Sequence, residues 1–565
     1  MFYRAIQIRR IKFSAIDLGI VFFLFAFIYG VVSTAKGWGE SPGYTINISL
    51  SFSSLPYYAW LSVLRQFFAY VLSLVFSILY GYIASHNKSL EPFMISLLDI
   101  LQSVPVLSFM PGVILGLIAL FPYGRVGVEL GSIVLIFTGQ VWNMAFSVYG
   151  SMSTLPRDFN EAANVFNLTP FQKFIYVELP YSTIGLVWNS MMSVAGGWFF
   201  LMACEMFTLG EKDFRLPGLG SYLQLAAIKG DTKALLIGLG VMIAIIVIID
   251  QLVWRPLIAW AQKFKVELSS EEVVPHSAIF TILQRSTIGP LISGAIEGFW
   301  EKIGKKLPKR IHLPSRKKGS SIVKIAFLVF FVLIVIYGCF RLAIIVYRIP
   351  AFRWGDIFIS DLFTLLRVSL AVGLSILWTL PVGVYIGMNP RLSAVMQPLV
   401  QIFASIPATA IFPIILMWLV SLRGGLSIAS ILLMLLGTQW YLLFNVIAGA
   451  MSIPAELKEA SSIFGLTGID RWRKLIIPAV LPQLVTGAIT ATGGAWNASV
   501  VSEYVHFRGT TLSVKGLGAM ISGSADKGDF GVLAASTIAM IVTVTIINRF
   551  FWRRLYWLAE EHYSL

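Results

Sequence analysis

The sequence predicts an all-α, polytopic membrane protein with about twelve transmembrane helices, arranged as two parallel repeats of six. Three observations lead to this fold class. Hydrophobic residues make up 57% of the 565 residues and charged residues only 13%, whereas soluble domains carry about 25% charged residues. Apolar runs that could cross a bilayer fall into two groups, and the second group repeats the first. This composition excludes an ordinary soluble enzyme and a disordered chain.

The apolar runs define the predicted spans in order, because a helix needs about 20 apolar residues to cross the hydrocarbon core. The first group lies near residues 17–34, 60–84, 94–120, 131–150, 184–206 and 234–254. The second group lies near residues 322–340, 363–387, 395–420, 426–450, 483–503 and 532–551. The first run follows basic residues, as a signal peptide does. Its counterpart opens the second half, where no signal could lie, so we interpret both as retained helices.

Basic residues set the predicted orientation, since cytoplasmic loops are enriched in Lys and Arg. They cluster at the N-terminus, between the two groups of spans and at the C-terminus. Representative positions are Arg4, Arg9, Arg10, Lys12, Lys305, Lys306, Lys309, Arg310, Arg549, Arg553 and Arg554. An even number of spans per half places all three clusters on one side. We therefore expect cytoplasmic termini, and the net charge of +15 needs no nucleic-acid partner.

The chain divides into three predicted segments, namely a first half at 1–260, a basic linker at 261–320 and a second half at 321–565. Residues 161–206 align with 459–504 without a gap, and the matched positions also include segments upstream. Identical pairs include Arg65/Arg367, Ser103/Ser405, Pro105/Pro407, Glu161/Glu459, Pro180/Pro478, Trp198/Trp496 and Glu205/Glu503. Both halves have the same orientation, so an axis along the membrane normal relates them. We expect a pathway on that axis.

A cytoplasmic loop in each half, at residues 151–180 and 452–478, is predicted to form two short helices joined by a sharp corner. The corner falls at Asn167 in one copy and at Gly465 in the other. Asparagine and glycine are the residue types that best tolerate the left-handed conformation that ends a helix. Capping-box spacing relates two pairs in the first copy, Asp158 with Glu161 and Thr169 with Gln172.

The small residues Ala162 and Ala163 lie beside the first corner. We expect them to let the backbone of another protein approach closely. The alternative is a loop that only covers the membrane face.

The two loops resemble the cytoplasmic signature of permease subunits of binding-protein-dependent ABC importers. That signature is Glu-Ala-Ala, three residues, Gly, nine residues, Ile, one residue, Leu-Pro. Asn167 departs from its glycine, Ser461 departs from its second alanine, and aliphatic residues are exchanged conservatively near its end. The matching positions are Glu161, Ala162, Ala163, Val177, Leu179 and Pro180 in the first copy, and Glu459, Ala460, Gly465, Leu475, Ile477 and Pro478 in the second.

The chain is most similar to the nitrate, sulfonate and taurine branch of this family. The similarity rests on a tryptophan, a glutamate and a Gly-Leu-Gly turn late in each half. These residues are Trp198, Glu205 and Gly218-Leu219-Gly220, repeated as Trp496, Glu503 and Gly516-Leu517-Gly518. The fused arrangement resembles the duplicated permease components of anion importers.

The resemblance implies the fold of a type I ABC importer permease in a prokaryotic cytoplasmic membrane. It implies ABC ATP-binding subunits, in two copies, and an extracytoplasmic solute-binding protein as partners. The loops would then couple to the ATPases through Glu161, Ala162, Ala163, Asn167, Thr169, Glu459, Ala460, Ser461, Gly465 and Thr467. ATP and Mg²⁺ would be used by the partners, since this sequence lacks a G-x-x-x-x-G-K-[ST] phosphate loop. We expect no catalytic residue, bound cofactor or metal site in this chain.

Polar and bulky residues within the spans are candidates for the pathway or its gate, because polar groups in membrane helices are costly. The candidates are Gln102, Ser103, Ser405, Asn189, Asn497, Trp198, Trp496, Glu205 and Glu503. For the two glutamates we favour hydrogen bonds to the Gly-Leu-Gly turn over a gate. For the two tryptophans we favour packing over plugging the pathway. Arg65 and Arg367, at the external ends of their spans, are expected to anchor at the membrane interface.

The resulting hypothesis is a fused permease subunit of an ABC importer for a small anion such as nitrate, sulfonate or bicarbonate. A secondary active transporter and an ABC importer for a non-anionic solute stay open. So does a lipid-handling or scaffolding membrane protein. Intramembrane ion ligands and transport without ATP would distinguish the secondary transporter.

Overall fold

A computed structural model describes residues 25–31, 47–122, 124–209, 212–264, 277–284 and 343–563, together with isolated positions within 19–34 and 298–340. Within these residues, eight helices are long and apolar enough to cross a membrane. They are Phe52–His86, Val126–Ser153, Pro170–Glu205, Thr232–Phe264, Ala351–Gly387, Gly425–Met451, Gly468–Ser502 and Phe530–Tyr556. The all-α membrane fold is confirmed, with two small hairpins added. The predicted span at 17–34 is described only in part and that at 322–340 lies mostly outside the described residues, so a count of twelve stays a prediction.

The two halves contain the same elements in the same order. The first half has helices α1 (Leu55–His86), α2 (Glu91–Ser103), α3 (Met110–Leu120), α4 (Val126–Ser153), α5 (Arg157–Val165), α6 (Pro170–Glu205), α7 (Leu219–Lys229) and α8 (Thr232–Phe264), with strands β1 (Thr208–Leu209) and β2 (Lys212–Asp213). A short helix, α9 (Ala278–Gln284), lies between the halves.

The second half has helices α10 (Ala351–Gly387), α11 (Pro390–Ser405), α12 (Ala408–Leu419), α13 (Gly425–Met451), α14 (Ala455–Ile463), α15 (Gly468–Ser502), α16 (Leu517–Lys527) and α17 (Phe530–Tyr556). Its strands are β3 (Tyr504–Phe507) and β4 (Thr510–Ser513), which pair antiparallel. A final helical segment, Arg553–Tyr563, completes the described chain.

The third predicted span of each half is broken at a proline. Residues 94–120 fall on α2 and α3, and residues 395–420 fall on α11 and α12. The axes of α11 and α12 differ in direction by 75°. Val104 and Ile406 have extended backbones because each precedes a proline. Counting the bent pair α11–α12 as one span raises the total among the described residues to nine.

Helix α4 packs between α1 and α6, and α13 packs equivalently between α10 and α15. The halves meet where the broken span of each contacts the long helix of the other, α11 against α6 and residues 106–108 against α15. One buried apolar cluster runs through both halves. The duplicated sequence therefore produces one membrane unit with an interface along the repeat axis.

The repeated Lys-Gly-Asp tripeptide connects α7 to α8 and α16 to α17. Gly230 and Gly528 each end a helix at a φ of 68°, in the left-handed region. Asp231 and Asp529 then cap the next helix by accepting a hydrogen bond from the backbone N–H three residues later. The repeat is thus explained by local turn chemistry.

Candidate functional site

Each half carries an elbow, defined as residues 157–170 in the first half and 455–468 in the second. In the first elbow, the N–H of Leu168 donates to the carbonyl of Ala163 at 3.0 Å, and Leu466 does the same to Ser461 at 2.9 Å in the second. These bonds close a Schellman turn. The predicted corner residues have left-handed backbones, with φ of 50° at Asn167 and 65° at Gly465.

One of the two predicted capping boxes is present. The Thr169 hydroxyl accepts a hydrogen bond from the N–H of Gln172, and the Gln172 side chain accepts one from the N–H of Thr169. The box at Asp158 is wrong, because α5 begins at Arg157 after Pro156 and has no side-chain cap. Asp158 instead lies within the first turn, where a carboxylate favours the positive end of the helix dipole.

The tip of each elbow exposes a pair of large apolar side chains. Val165 and Phe166 are 76% and 75% exposed, and their counterparts Ile463 and Phe464 are 82% and 80% exposed. Glu161 and Glu459 are exposed beside them. Adjacent apolar side chains in contact with water mark interaction surfaces. Both elbows therefore present the same apolar tip and a carboxylate.

The small residues of the signature serve two different purposes. Ala162 is exposed, but Ala163 and its counterpart Ser461 are buried, at 3% and 4% exposure. The expectation that both alanines face a partner is therefore corrected for Ala163. Its small side chain lets the elbow pack on its own half. Of the remaining coupling candidates, Thr169 is buried, Ala460 is half-buried, and Asn167, Gly465 and Thr467 are exposed.

A charged cluster fastens the start of α6, directly after the first elbow, to the end of α1. Oε1 of Glu178 lies 2.9 Å from Nζ of Lys173 and 3.0 Å from Nε2 of His86. The repeat places Ile476 and Met388 at the positions of Glu178 and His86, and both belong to an apolar cluster. The two elbows thus expose equivalent apolar tips, but charged side chains fasten the helix after the first elbow and apolar packing fastens the helix after the second.

At the other end of the first half, Arg65 is 1% exposed and binds two glutamates. Its Nε and Nη2 donate to the carboxylate of Glu129 at 2.6 and 2.7 Å, and its Nη1 donates to Glu205 at 2.7 Å. The Gly220 N–H donates to Glu205 at 2.7 Å. A Cβ at Gly218 would overlap the Glu205 carboxylate, which explains the glycine there.

The second half repeats this network with one carboxylate fewer. Nη1 of Arg367 donates to Glu503 at 2.7 Å, and Gly518 N–H donates to Glu503 at 2.9 Å. Ser427 occupies the position that corresponds to Glu129. The expected interfacial anchoring of Arg65 and Arg367 is therefore wrong, because the nearby carboxylates draw both guanidinium groups inside.

Sequence reasoning did not identify Glu129. A carboxylate just before the predicted span at 131–150 was the signal that could have found it.

Cavities lined from both halves lie between the described helices, and three of them bear on the predicted pathway. A vestibule at the end away from the elbows, about 1030 Å³ with its open mouth included, is lined from both halves by Leu107, Met110, Met202, Thr409, Phe412 and Val500, with Tyr504, His506 and Asp526 at one edge. Two deeper chambers, of about 700 and 840 Å³, share Tyr441, Phe200 and Asn497. They flank the repeat axis, which is where a pathway was predicted.

The structure separates the pathway candidates. Asn497 lines both deeper chambers and Gln102 lines one. Trp198 and Trp496 are 2% and 0% exposed and line none of these three cavities, nor do Glu205, Glu503, Asn189 and Ser405.

Local hydrogen bonds hold two of these candidates. The Asn189 amide donates to Gly185 and the Ser405 hydroxyl donates to Gln401, both within their own helices. The side chain of Ser103 lies outside the described residues.

A family model described as the binding-protein-dependent transport system inner membrane component matches residues 73–253 and again 379–555. The chain belongs to this family. The two matches fall on the two halves that the repeat defines, and each contains one elbow. A duplicated permease in one chain is thereby confirmed, and with it a multi-pass inner-membrane location. The family describes a transport component rather than an enzyme.

Individual relatives are distant. A taurine transport system permease protein of Escherichia coli is 25% identical over 184 residues, covering 33% of this chain and 63% of the relative. A bicarbonate transport system permease protein of Synechococcus elongatus is 27% identical over 149 residues, covering 26% and 52%. A nitrate import permease protein of Leptolyngbya laminosa is 25% identical over 140 residues, covering 25% and 49%. The chain thus spans about half to two thirds of these relatives.

Proposed function

We propose that this chain is the fused transmembrane subunit of an ABC importer that moves a small anion into a prokaryotic cell. The observation that carries the proposal is the pair of equivalent elbows with exposed apolar tips. Separate ATP-binding subunits, one at each elbow, would supply the energy and hold ATP and Mg²⁺. An extracytoplasmic solute-binding protein would deliver the anion to the vestibule.

The elbow tips are suited to docking because exposed apolar area stabilises a complex when a partner covers it. Burying a phenylalanine or a valine contributes about 1.5–3 kcal/mol. Phe166 and Phe464 stand at equivalent places, so two copies of one groove could receive them. Each elbow continues directly into a long interface helix, α6 or α15. A push on either tip would therefore be transmitted to the walls of the chambers.

Topology and charge support a cytoplasmic position for both elbows. The C-terminal segment Arg553–Tyr563 packs on α15 and carries Arg553 and Arg554. Basic residues favour the cytoplasmic side. The lipid bilayer would surround the apolar helix faces, and no nucleic acid is involved. Bicarbonate and nitrate, which name two of the relatives' transport systems, are small oxyanions, and taurine, which names another, carries an anionic sulfonate group; they indicate the class of solute that we propose for this chain.

The proposal is tested by changing the two tips in the full chain. Phe166→Ser and Phe464→Ser together should abolish co-purification with the ATP-binding subunits and ATP-dependent uptake in proteoliposomes. Each single variant should weaken both, because one docking site is left. The matched control is Leu120→Ser, since Leu120 is 72% exposed at the end of α3, away from the elbows.

Co-purification of the double variant at the level of the unaltered chain would refute docking through the tips. Uptake by the unaltered chain without ATP would instead identify a secondary transporter. ATP-dependent uptake of a neutral or cationic solute, with no uptake of anions, would refute the proposal that the solute is an anion.

A further inference from the structure

The two deeper chambers beside the repeat axis are similar in size but not in chemistry. We name them the polar chamber, lined by Gln102, Thr138, Asn143 and Thr490 among others, and the apolar chamber, lined by Met192, Phe199, Ala404, Leu436 and Phe444 among others, while Tyr441 and Asn497 line both. Each is built from the broken span and fourth-span helix of one half and the long helix of the other half. The repeat relates the two chambers, so each lining position in one chamber has a counterpart in the other.

Equivalent positions carry polar side chains in one chamber and apolar side chains in the other. Three pairs show this, namely Gln102 and Ala404, Thr138 and Leu436, and Thr490 and Met192. The two threonine hydroxyls donate to carbonyls of their own helices, so the Gln102 amide is the strongest of the three differences. A polar side chain inside a membrane protein is costly unless it is used, and this difference distinguishes one side of the axis as the place for a polar occupant.

The polar chamber offers neutral donors. Gln102 and Asn143 are half-buried amides on its wall, and the Trp552 indole N–H is a buried donor without a partner among the described residues. The unpartnered buried atom in the apolar chamber is an acceptor, Oε1 of Gln401. An indole can only donate a hydrogen bond. The polar chamber thus suits an occupant rich in acceptor oxygens, and the apolar chamber does not.

No described residue that lines the polar chamber carries a charge. The cost of removing an ion from water grows with the square of its charge, and fixed opposite charges are needed to offset a large cost. Neutral amide and indole donors can compensate one delocalised negative charge more readily than two. This favours a singly charged oxyanion over a doubly charged one.

One side of the chamber is held in place by a contact between the halves. Oδ1 of Asn497 accepts a hydrogen bond from the N–H of Leu107 at 3.1 Å, and its Nδ2 donates to the Gly493 carbonyl at 3.1 Å. Leu107 lies in the break of the third span, directly after Pro105 and Val106. A shift of one half against the other would therefore open or close the chamber.

We propose that the transported solute is a singly charged oxyanion that rests in the polar chamber, to one side of the repeat axis, and is held by neutral donors that include Gln102 and Asn143. This assignment rests on the proposed function. The twofold repeat of the chain is thus not a twofold repeat of the solute site.

The test uses the full chain reconstituted with its ATP-binding subunits and binding protein. Uptake of labelled nitrate, bicarbonate and sulfate is measured first for the unaltered complex. For the anion that is taken up, Asn143→Leu and Gln102→Leu should each lower uptake about tenfold, which corresponds to one lost hydrogen bond to a charged group. ATP hydrolysis stimulated by the loaded binding protein should stay within about twofold, which shows that the complex is folded and coupled.

The matched control is Met192→Leu, a volume-conserving change at the position in the apolar chamber that corresponds to Thr490. Its uptake should match the unaltered complex. Uptake unchanged in both amide variants, an equal loss in the control, or uptake of sulfate in preference to the singly charged anions would overturn the assignment. An unaltered complex that neither assembles with the ATPases nor shows ATP-dependent uptake would refute the proposed function itself.

Discussion

At the scale of single residues, the halves differ in the charge balance of their buried arginines. Among the residues that the structure describes, Arg65 faces two carboxylates, Glu129 and Glu205, whereas Arg367 faces one, Glu503. Additional neutral donors stabilise the carboxylates, since Ser62 donates to Glu205 and Thr364 donates to Glu503. The second cluster therefore pairs one guanidinium with one carboxyl group, and the first pairs one guanidinium with two. The same substitution should therefore have unequal effects in the two halves.

We expect Glu503→Gln to lower stability by about 3 kcal/mol, because it leaves a buried guanidinium without a carboxylate. Glu205→Gln should cost about 1 kcal/mol or less, since Arg65 keeps its two bonds to Glu129. Thermal unfolding of the full chain in detergent measures both. Glu456→Gln, at an exposed carboxylate, is the control and should change little. Equal losses for the two buried variants would contradict this account.

At the scale of elements, the sharp corners decide the shape of the elbows. Gly465 has a φ of 65°, and a Cβ built there meets nothing within 4 Å. Any penalty for a side chain at this position is therefore conformational rather than steric. Asn167 fills the same role in the first half, which is consistent with the tolerance of asparagine for left-handed backbones.

Gly465→Ala should destabilise the second elbow by about 1–2 kcal/mol, the cost of a left-handed alanine. Hydrogen exchange of the backbone amides in 455–468 should become faster, while exchange in the first elbow is unchanged. Gly240→Ala provides the control, because Gly240 lies inside α8 with open space around it. That change should be neutral or stabilising. Exchange that is unaltered by Gly465→Ala would show that the corner tolerates other conformations.

Other features at this scale come from the repeat. The breaks at Pro105 and Pro407 follow from the restriction that proline imposes on the preceding residue, and they place irregular backbone beside the chambers. The two hairpins differ in length, with two residues per strand in the first half and four in the second. The longer hairpin reaches across the interface, where the N–H of Arg508 donates to the carbonyl of Ala227 at 3.3 Å.

At the scale of the whole molecule, the longer hairpin brings a titratable pair to the vestibule edge. Nε2 of His506 lies 2.8 Å from Oδ2 of Asp526, and the Tyr504 hydroxyl donates to the same oxygen at 2.8 Å. The hydrogen bond with Asp526 raises the pKa of His506 above its usual value. The first half contributes Thr208 and Gln224 to the same edge. Protonation of one histidine can thus influence the contact between the halves.

The pair should stabilise the protein at low pH and not at high pH. His506 is protonated in both states below about pH 6.5, the unfolded value, so its contribution is complete there and is lost as pH rises through the raised pKa. We expect the unaltered chain to exceed His506→Asn in stability at pH 6 by about 0.5 kcal/mol, since the ring is 36% exposed. The difference should vanish at pH 9. Thermal unfolding at both values checks this, and a difference that grows with pH would contradict it.

The sequence by itself determined the membrane class, the duplication, the positions of both elbows and their left-handed corners. These features are local or periodic. Apolar length predicts a span, an offset reveals a repeat, and glycine or asparagine reports on its own backbone. The glutamates Glu205 and Glu503 were correctly expected to accept hydrogen bonds from the following turn, because that turn lies close in sequence.

Only the tertiary structure decided where the arginines go, which candidates face a cavity and which chamber is polar. Arg65 meets Glu129 and Glu205 across three helices, and no spacing along the chain shows that meeting. The apolar signal of a membrane helix is the same on its lipid face and its buried face, so it could not separate Trp198, which packs, from Gln102, which lines a chamber. The two chambers differ because the repeated helices diverged at the positions that assembly brings together.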